Sequence, residues 1–286
     1  MDTEMEALLQ APPLAAGARN FLGVLGGMGP LAGASFAYRL AQLTPARSDQ
    51  EHIPVLLRND PRIPDRSASR LCGGADPLPA MIEGMRFLAR SGVDCIVIPC
   101  NTAHLWFDAL QAEVAVPVLH IVESVIQDLR RQGVHDGKVG IMGTPATLDL
   151  SLYQHFLIQA GYEPIIPTQA EINRCCVASI AAVKANQMDA AFSPAAAGIV
   201  ALEQRGARAV VLGCTELPLA VPHRRRREFG LVLTDSIDAL ALAVLEHFEW
   251  TARSAVPVTV AEAHDSPTTG RIDTAELPVL NRMALT

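Results

Sequence analysis

Short apolar runs alternate with longer amphipathic ones along this chain, and the alternation predicts parallel βαβ units. The run Phe21–Leu25 predicts a first strand, followed by a helix from Pro30 through Leu40. The pattern continues with the run Ile53–Leu57, a helix over Pro77–Arg90 and a strand over Asp94–Ile98. A helix is expected after Asn101, breaking before Pro117. Near the end, Asp235–Phe248 spreads Ile237, Leu240, Leu242, Val244, Leu245 and Phe248 around an apolar face. It predicts an amphipathic helix that returns to pack on the first half.

Midway the pattern restarts. Lys138–Met142 followed by Gly143-Thr144-Pro145 resembles Gly23–Leu25 followed by Gly26-Gly27-Met28-Gly29-Pro30, a strand entering a small-residue turn and then a helix. Likewise Arg208–Leu212 with Gly213-Cys214-Thr215 resembles Asp94–Ile98 with Pro99-Cys100-Asn101-Thr102. Gly26 precedes Cys100 by 74 residues and Gly143 precedes Cys214 by 71, so two diverged copies of one half-domain explain the chain. The expected organisation is a first α/β domain over 20–122 plus 234–250 and a second over 123–233. Residues 1–19 and 251–286, rich in Ala, Pro and acids without a sustained period, read as a flexible leader and a disordered tail.

Composition narrows the function classes. With 286 residues, half of them hydrophobic, the chain can bury one large core or two modest ones, and a net charge of −7 argues against a nucleic-acid surface. No segment has the length of a membrane span, and the acids Asp2, Glu4 and Glu6 do not suit a secretory signal, so a cytoplasmic protein is expected. There the six cysteines do not form a disulfide framework, and their spacing offers no zinc pattern. Of the 23 basic residues only Lys138 and Lys184 are lysines. The basic run His223–Arg227 reads as a solvated surface loop.

Two cysteines stand apart from the other four. Cys100 and Cys214 both fall beyond the carboxyl end of a predicted strand, where open parallel sheets bind ligands and helix N-termini present unpaired N–H groups. The positive end of a helix there is expected to lower the thiol pKa toward the working range of a base. A single cysteine so placed reads equally well as core filler, and its occurrence in both repeats decides for chemistry. The polar residues after each, Asn101-Thr102 and Thr215-Glu216, suit either helix capping or a bound carboxylate. His104, four residues past Cys100, reads as a capping or core histidine rather than a proton shuttle.

At this point the chain resembles the aspartate/glutamate racemase family, most closely its aspartate racemase branch. The motifs that carry the resemblance are Gly26-Gly27-Met28-Gly29-Pro30, Pro99-Cys100-Asn101-Thr102-Ala103-His104 and Gly213-Cys214-Thr215-Glu216, with Asn59 to Arg66 and Val183-Lys184-Ala185-Asn186 in support. It implies two similar α/β domains, each a mostly parallel sheet flanked by helices, related by pseudo-twofold symmetry with a cleft between them, often in a homodimer. It also implies Cys100 and Cys214 as the two acid/base thiols and Arg66 and Lys184 as cations near the substrate carboxylates. Asn101, Thr102, Thr144 and Thr215 are implied as polar contacts, with Met28 lining the cleft. No cofactor and no metal are expected, and the partner is a small dicarboxylic amino acid, with neither nucleic acid nor membrane involved. Glutamate racemases carry an Asp after the first strand and a His beside the second cysteine. Met28 and Thr215-Glu216 stand there in this chain, which favours aspartate.

Inverting a Cα centre needs one group to take a proton from one face and another to deliver one to the other, which accounts for two thiols. Glutamate or broad-specificity racemisation, a related isomerase or decarboxylase, and a non-catalytic amino-acid-binding protein are the competing readings. A dinucleotide-dependent oxidoreductase is disfavoured because Gly26-Gly27-Met28-Gly29 lacks the G-x-G-x-x-G spacing. Lys184 as a pyridoxal Schiff base has no motif around it.

Overall fold

A computed structural model describes residues 20–250 of the chain, so the expected leader and tail lie outside the described residues. Two parallel four-stranded sheets carry the fold. The first consists of β1 (Leu22–Gly26), β2 (Val55–Asn59), β3 (Cys95–Val97) and β4 (Val118–Leu119) in the order β2-β1-β3-β4. The second repeats that order as β6-β5-β7-β8, from β5 (Gly137–Met142), β6 (Tyr162–Ile165), β7 (Ala209–Leu212) and β8 (Val232–Asp235). The internal repeat read from the motifs is therefore a repeat of topology.

That order decides where the motifs meet. In each sheet the first and third strands are neighbours, and the chain leaves them toward opposite sides, which makes their carboxyl ends the topological switch point where such sheets bind ligands. The glycine turn after β1 and Cys100 after β3 flank one switch point. Gly143-Thr144 after β5 and Cys214 after β7 flank the other.

The strands read as apolar runs because both faces are covered. β1 and β7 are buried along their whole lengths. One apolar core joins the halves, with Leu22, Val24 and Val97 of the first sheet packed in the same cluster as Val139, Ile141 and Val211 of the second. Two further cores cover the outer faces, and each holds one of the two candidate thiols: Cys100 lies with Leu25, Met85 and Ile98, Cys214 with Met142, Ile199 and Leu212.

Helices α1 (Pro30–Leu43), α2 (Arg66–Cys72), α3 (Leu78–Arg90), α4 (Phe107–Gln111) and α5 (Ile121–Arg131) accompany the first sheet. Pro30 at the first turn of α1 suits its position, since a proline lacks only a donor that would go unpaired there. The second sheet carries α6 (Pro145–Asp149), α7 (Leu152–Gln159), α8 (Ala178–Lys184), α9 (Met188–Gln204) and α10 (Leu217–Ala220). The final helix, α11 (Ser236–His247), packs against α1 and α5, and Arg39 of α1 pairs with Asp238 of α11 at 2.6 Å.

Two local expectations change. The helix after Asn101 is a 3-10 segment, Thr102–Trp106, before α4 begins, because the His104 amide bonds back to Asn101 at 3.0 Å and tightens the turn. The basic run is likewise no plain solvated loop. It forms a 3-10 turn, His223–Glu228, whose Arg226 reaches the buried Asp235 carboxylate at 2.6 Å and whose Arg225 lies over the Phe192 ring. His223, Asp235 and Asp238 approach as metal ligands would, but Arg39 and Arg226 already neutralise the carboxylates.

Candidate active site

The nine residues singled out from sequence come together. Met28, Arg66, Cys100, Asn101, Thr102, Thr144, Lys184, Cys214 and Thr215 all line one narrow chamber of about 20 Å³. Each thiol is only 5% exposed. Asp65, Ser67 and Glu216 complete the lining. A larger outer pocket of about 360 Å³ adjoins it, walled by Gly27, Gly29, Pro30, Leu31, Pro61, Ile63 and Val183. Asp65, Arg66, Lys184 and Glu216 line both spaces and form the partition between them.

The expected lowering of the thiol pKa by a helix N-terminus does not hold. Burial, the largest influence, pushes Cys100 up and Cys214 well up. Cys100 leads into a 3-10 turn and Cys214 into the four-residue α10, both too short to develop a helix dipole that would offset desolvation. The surroundings then separate the pair. The Arg66 guanidinium favours Cys100 thiolate by its charge, and the Ala103 amide does so by hydrogen bonding. Cys214 instead donates to the Glu216 carboxylate, Sγ to Oε2 at 3.0 Å, and that charge holds its proton on. Lys184 acts on Cys214 in the opposite sense.

Arg66 opens α2 just after Asp65, whose side chain caps the helix by accepting from the Ala68 amide at 2.7 Å. Its guanidinium is buried and has no carboxylate partner among the described residues. Nη1 donates to the Ile63 and Pro64 carbonyls at 3.1 and 2.7 Å, Nη2 donates to the Met28 carbonyl at 3.0 Å, and Nε finds no acceptor. Both terminal nitrogens of the fork are thus engaged by backbone, and the guanidinium is held rigidly against the glycine turn. Lys184, the last residue of α8, is exposed and lines the chamber from the second half. It has no ion-pair or hydrogen-bond partner among the described residues.

The polar residues after Cys100 are not helix caps. Asn101 Nδ2 donates to Ser236 Oγ at 2.8 Å and its Oδ1 accepts from Tyr153 at 2.6 Å, so the amide ties the first cysteine turn to the second half. Thr102 Oγ1 lies 3.0 and 3.1 Å from the hydroxyls of Thr144 and Thr147, forming a three-hydroxyl cluster across the same seam. Thr144 does cap a helix, accepting from the Thr147 amide at 3.2 Å. Thr215 is buried and donates to Glu216 at 3.5 Å.

His104 is a core residue. Its Nδ1 meets the Cys100 carbonyl at 2.9 Å and its Nε2 accepts from the Ile121 amide at 3.2 Å, which makes it a neutral ring donating to Cys100 and joining that turn to α5. Burial pushes its pKa down to about 3. Of the other cysteines, Cys95 and Cys176 are buried and pushed up to about 12, Cys175 is buried, and Cys72 is exposed at the end of α2. None of them lines the chamber.

Sequence reasoning named Glu216 only as a helix cap or a contact for a bound carboxylate, not as the partner of Cys214, and did not name Tyr153. The signal for Glu216 lay in the Cys214-Thr215-Glu216 motif itself, since a carboxylate two residues past a buried thiol at a tight turn can curl back to it. Nothing local marked Tyr153, which reaches Asn101 from 52 residues away.

The sequence model of the Asp/Glu/hydantoin racemase family matches residues 25–244. The broad specificity amino-acid racemase RacX of Bacillus subtilis is 31% identical over 148 residues, covering 50% of this chain and 63% of that protein. The glutamate racemase of Aquifex pyrophilus is 26% identical over 165 residues, covering 57% of this chain and 62% of that protein. The chain thus spans a little under two thirds of the length of these curated relatives. Among solved structures, the aspartate racemase of Picrophilus torridus superposes with a TM-score of 0.71 at 29% identity, covering 80% of this chain and 94% of that one. The glutamate racemase of Campylobacter jejuni shares the fold, with a TM-score of 0.53 at 18% identity over 85% of this chain and 89% of that one.

Proposed function

The chain belongs to the Asp/Glu/hydantoin racemase family, and from that premise we propose that it interconverts L- and D-aspartate by proton transfer at Cα between Cys100 and Cys214. The observation that carries this reading is that two cysteines at equivalent places of a repeated half line a single narrow chamber. Neighbouring family members bearing the names of aspartate, glutamate and broad-specificity racemases support amino-acid racemisation as the reaction class.

In this reading one thiolate removes the α-proton while the other thiol delivers a proton to the opposite face, and reversing the direction exchanges the roles. The two switch points supply a near-symmetric pair of positions for substrates that are mirror images. An α-hydrogen beside an ionised carboxylate is weakly acidic, so fixed charge must stabilise the carbanion. Arg66 supplies a rigid positive field at the Cys100 side and Lys184 a movable ammonium at the Cys214 side, while the Thr102 and Thr144 hydroxyls can rotate to donate. A chamber of about 20 Å³ holds one water and no amino acid. Substrate therefore enters from the outer pocket as the shared partition of Asp65, Arg66, Lys184 and Glu216 gives way. The proposal requires no cofactor, and the expected homodimer is tested by sedimentation.

One observation favours a second reading, broader specificity. The engaged Nη atoms of Arg66 leave Lys184 as the one mobile cation of the chamber, so the hold on a side-chain carboxylate is weaker than a pair of free cations would give. A chiral assay of aspartate, glutamate and several neutral amino acids without added cofactor separates the two. Aspartate racemisation lost by about a thousandfold or more in both Cys100→Ala and Cys214→Ala is the expected result. Near-normal turnover in either variant overturns the two-thiol mechanism.

A further inference from the structure

The two thiols occupy equivalent places in the repeat, yet their neighbours are not equivalent. Cys214 donates to Glu216 Oε2 at 3.0 Å, and this carboxylate is only 3% exposed. Thr215 also donates to Oε2, while Oε1 is turned toward Gly29 of the opposite half, 3.2 Å from where a Cβ on that glycine would stand. The corresponding step past Cys100 is Thr102, which carries no charge and is spent on the threonine cluster. Beside Cys100 stands instead the buried Arg66 guanidinium, which among the described residues has no carboxylate partner and leaves Nε unpaired.

We infer that Glu216 is a positioning residue that keeps the proton on Cys214, so that the resting site carries its base at Cys100 and its acid at Cys214. This rests on the two-thiol reading above and adds to it an assignment of direction. The Cys100 thiolate takes the α-proton, forming an S–H bond while the C–H electron pair stays on Cα. The Cys214 S–H bond then breaks, its proton passing to the opposite face and its electron pair remaining on sulfur. The site left behind sets a Cys214 thiolate against the Glu216 carboxylate, two like charges about 3 Å apart in a buried position, which is the less stable of the two forms.

The groups that face this thiol act from several elements. Lys184 at the end of α8 favours the Cys214 thiolate, whereas Glu216 opposes it. Tyr153 of α7 is buried and is held neutral chiefly by burial, and a thiolate at Cys214 would hold its proton on further. Arg66 and Asp65, at the start of α2, line the chamber beyond Glu216. Glu216 also acts on Cys100, though Arg66 counters it there.

The test reads each thiol without turnover. Alkylation of the full chain across a pH series, mapped cysteine by cysteine by mass spectrometry, is compared for the parent, Glu216→Gln and Glu216→Asp. Cys100 is expected to react at lower pH than Cys214 in the parent. Glu216→Gln, which keeps an acceptor for the thiol but removes the charge, moves the Cys214 profile down by about one pH unit, roughly tenfold faster reaction at a fixed pH below the transition. Glu216→Asp leaves Cys214 closer to the parent. The same profiles are read without reagent from the thiolate ultraviolet absorbance lost in Cys100→Ala and in Cys214→Ala. A Cys214 that ionises below Cys100, or a Glu216→Gln profile that superposes on the parent, overturns the assignment. Because no substrate is present, such a result is distinct from failure of racemisation, which the chiral assay reports separately.

Discussion

Tyr153 donates its hydroxyl to Asn101 Oδ1 at 2.6 Å while the same amide donates to Ser236 Oγ at 2.8 Å, and through this one side chain the first cysteine turn is held to the second half of the molecule. All three residues are buried, so each polar atom depends on the others for its partner. Tyr153→Phe leaves Asn101 Oδ1 unpaired at nearly constant volume. It is expected to cost about 1–3 kcal/mol of stability by urea unfolding. The turn that carries Cys100 loses one of its anchors, so turnover falls as well. Unchanged stability would show that water takes the place of the hydroxyl.

Gly27 sits at φ +95°, and a Cβ built there would lie 2.1 Å from the Asp60 carbonyl oxygen. The obstacle is backbone, which cannot swing aside as a side chain can. Gly27→Ala is expected to destabilise the fold by about 3 kcal/mol or more, with the unfolding midpoint as the measurement. Loss of activity accompanies it, since the same turn supplies the Met28 carbonyl that anchors Arg66.

The two cations of the chamber should respond differently to removal. Lys184 is exposed and makes no contact that the fold depends on, so Lys184→Met is expected to leave the urea midpoint unchanged while raising KM for aspartate about tenfold. Arg66 binds three carbonyls from within the core, and Arg66→Leu strands them. Both stability and turnover fall in that variant. A Lys184→Met enzyme with unaltered KM would remove the ammonium from substrate recognition.

His104 and His120 pack edge to face at 5.0 Å, both buried, with pKa values pushed down by burial from 6.5 to about 3 and about 4. In the unfolded chain each takes up a proton near 6.5, whereas the folded chain refuses it until the lower value is reached. Stability is therefore full above about pH 6.5 and is lost as the pH falls toward 4. The expected slope is on the order of 1 kcal/mol per pH unit for each histidine. Denaturant titrations at pH 7.5, 6 and 5 measure it. His120→Asn, which can still accept from the Val122 amide, should flatten the slope by one proton.

Whether a feature was legible in the sequence depends on the range over which it is encoded. The strands β1, β5 and β7 were visible because both faces of a parallel sheet are covered, which leaves continuous apolar runs such as Ala209–Leu212. Their ends moved by a residue, and β3 is shortened from the expected Asp94–Ile98 to Cys95–Val97, with the Cys100 amide turning back to the Ile98 carbonyl at 2.7 Å. The 3-10 segment Thr102–Trp106 was not legible. Its tight turn comes with His104 bonding both to Cys100 and to Ile121, a partner 17 residues further on.

Of the chamber, the sequence by itself placed Cys100, Asn101, Thr102, Thr144, Cys214 and Thr215 just past strand ends in the paired positions of a duplicated half-domain, while Met28, Arg66 and Lys184 were named only through the family resemblance. Local pattern encodes such positions directly. Only the tertiary structure decided what state those side chains are in. Burial raises both thiols where a helix N-terminus was expected to lower them, Arg66 is spent on carbonyls, Asn101 is spent on Tyr153 and Ser236, and Glu216 singles out one of two like cysteines. Desolvation and hydrogen-bond partnership depend on every atom that surrounds a group, and those atoms come from parts of the chain that meet only on folding.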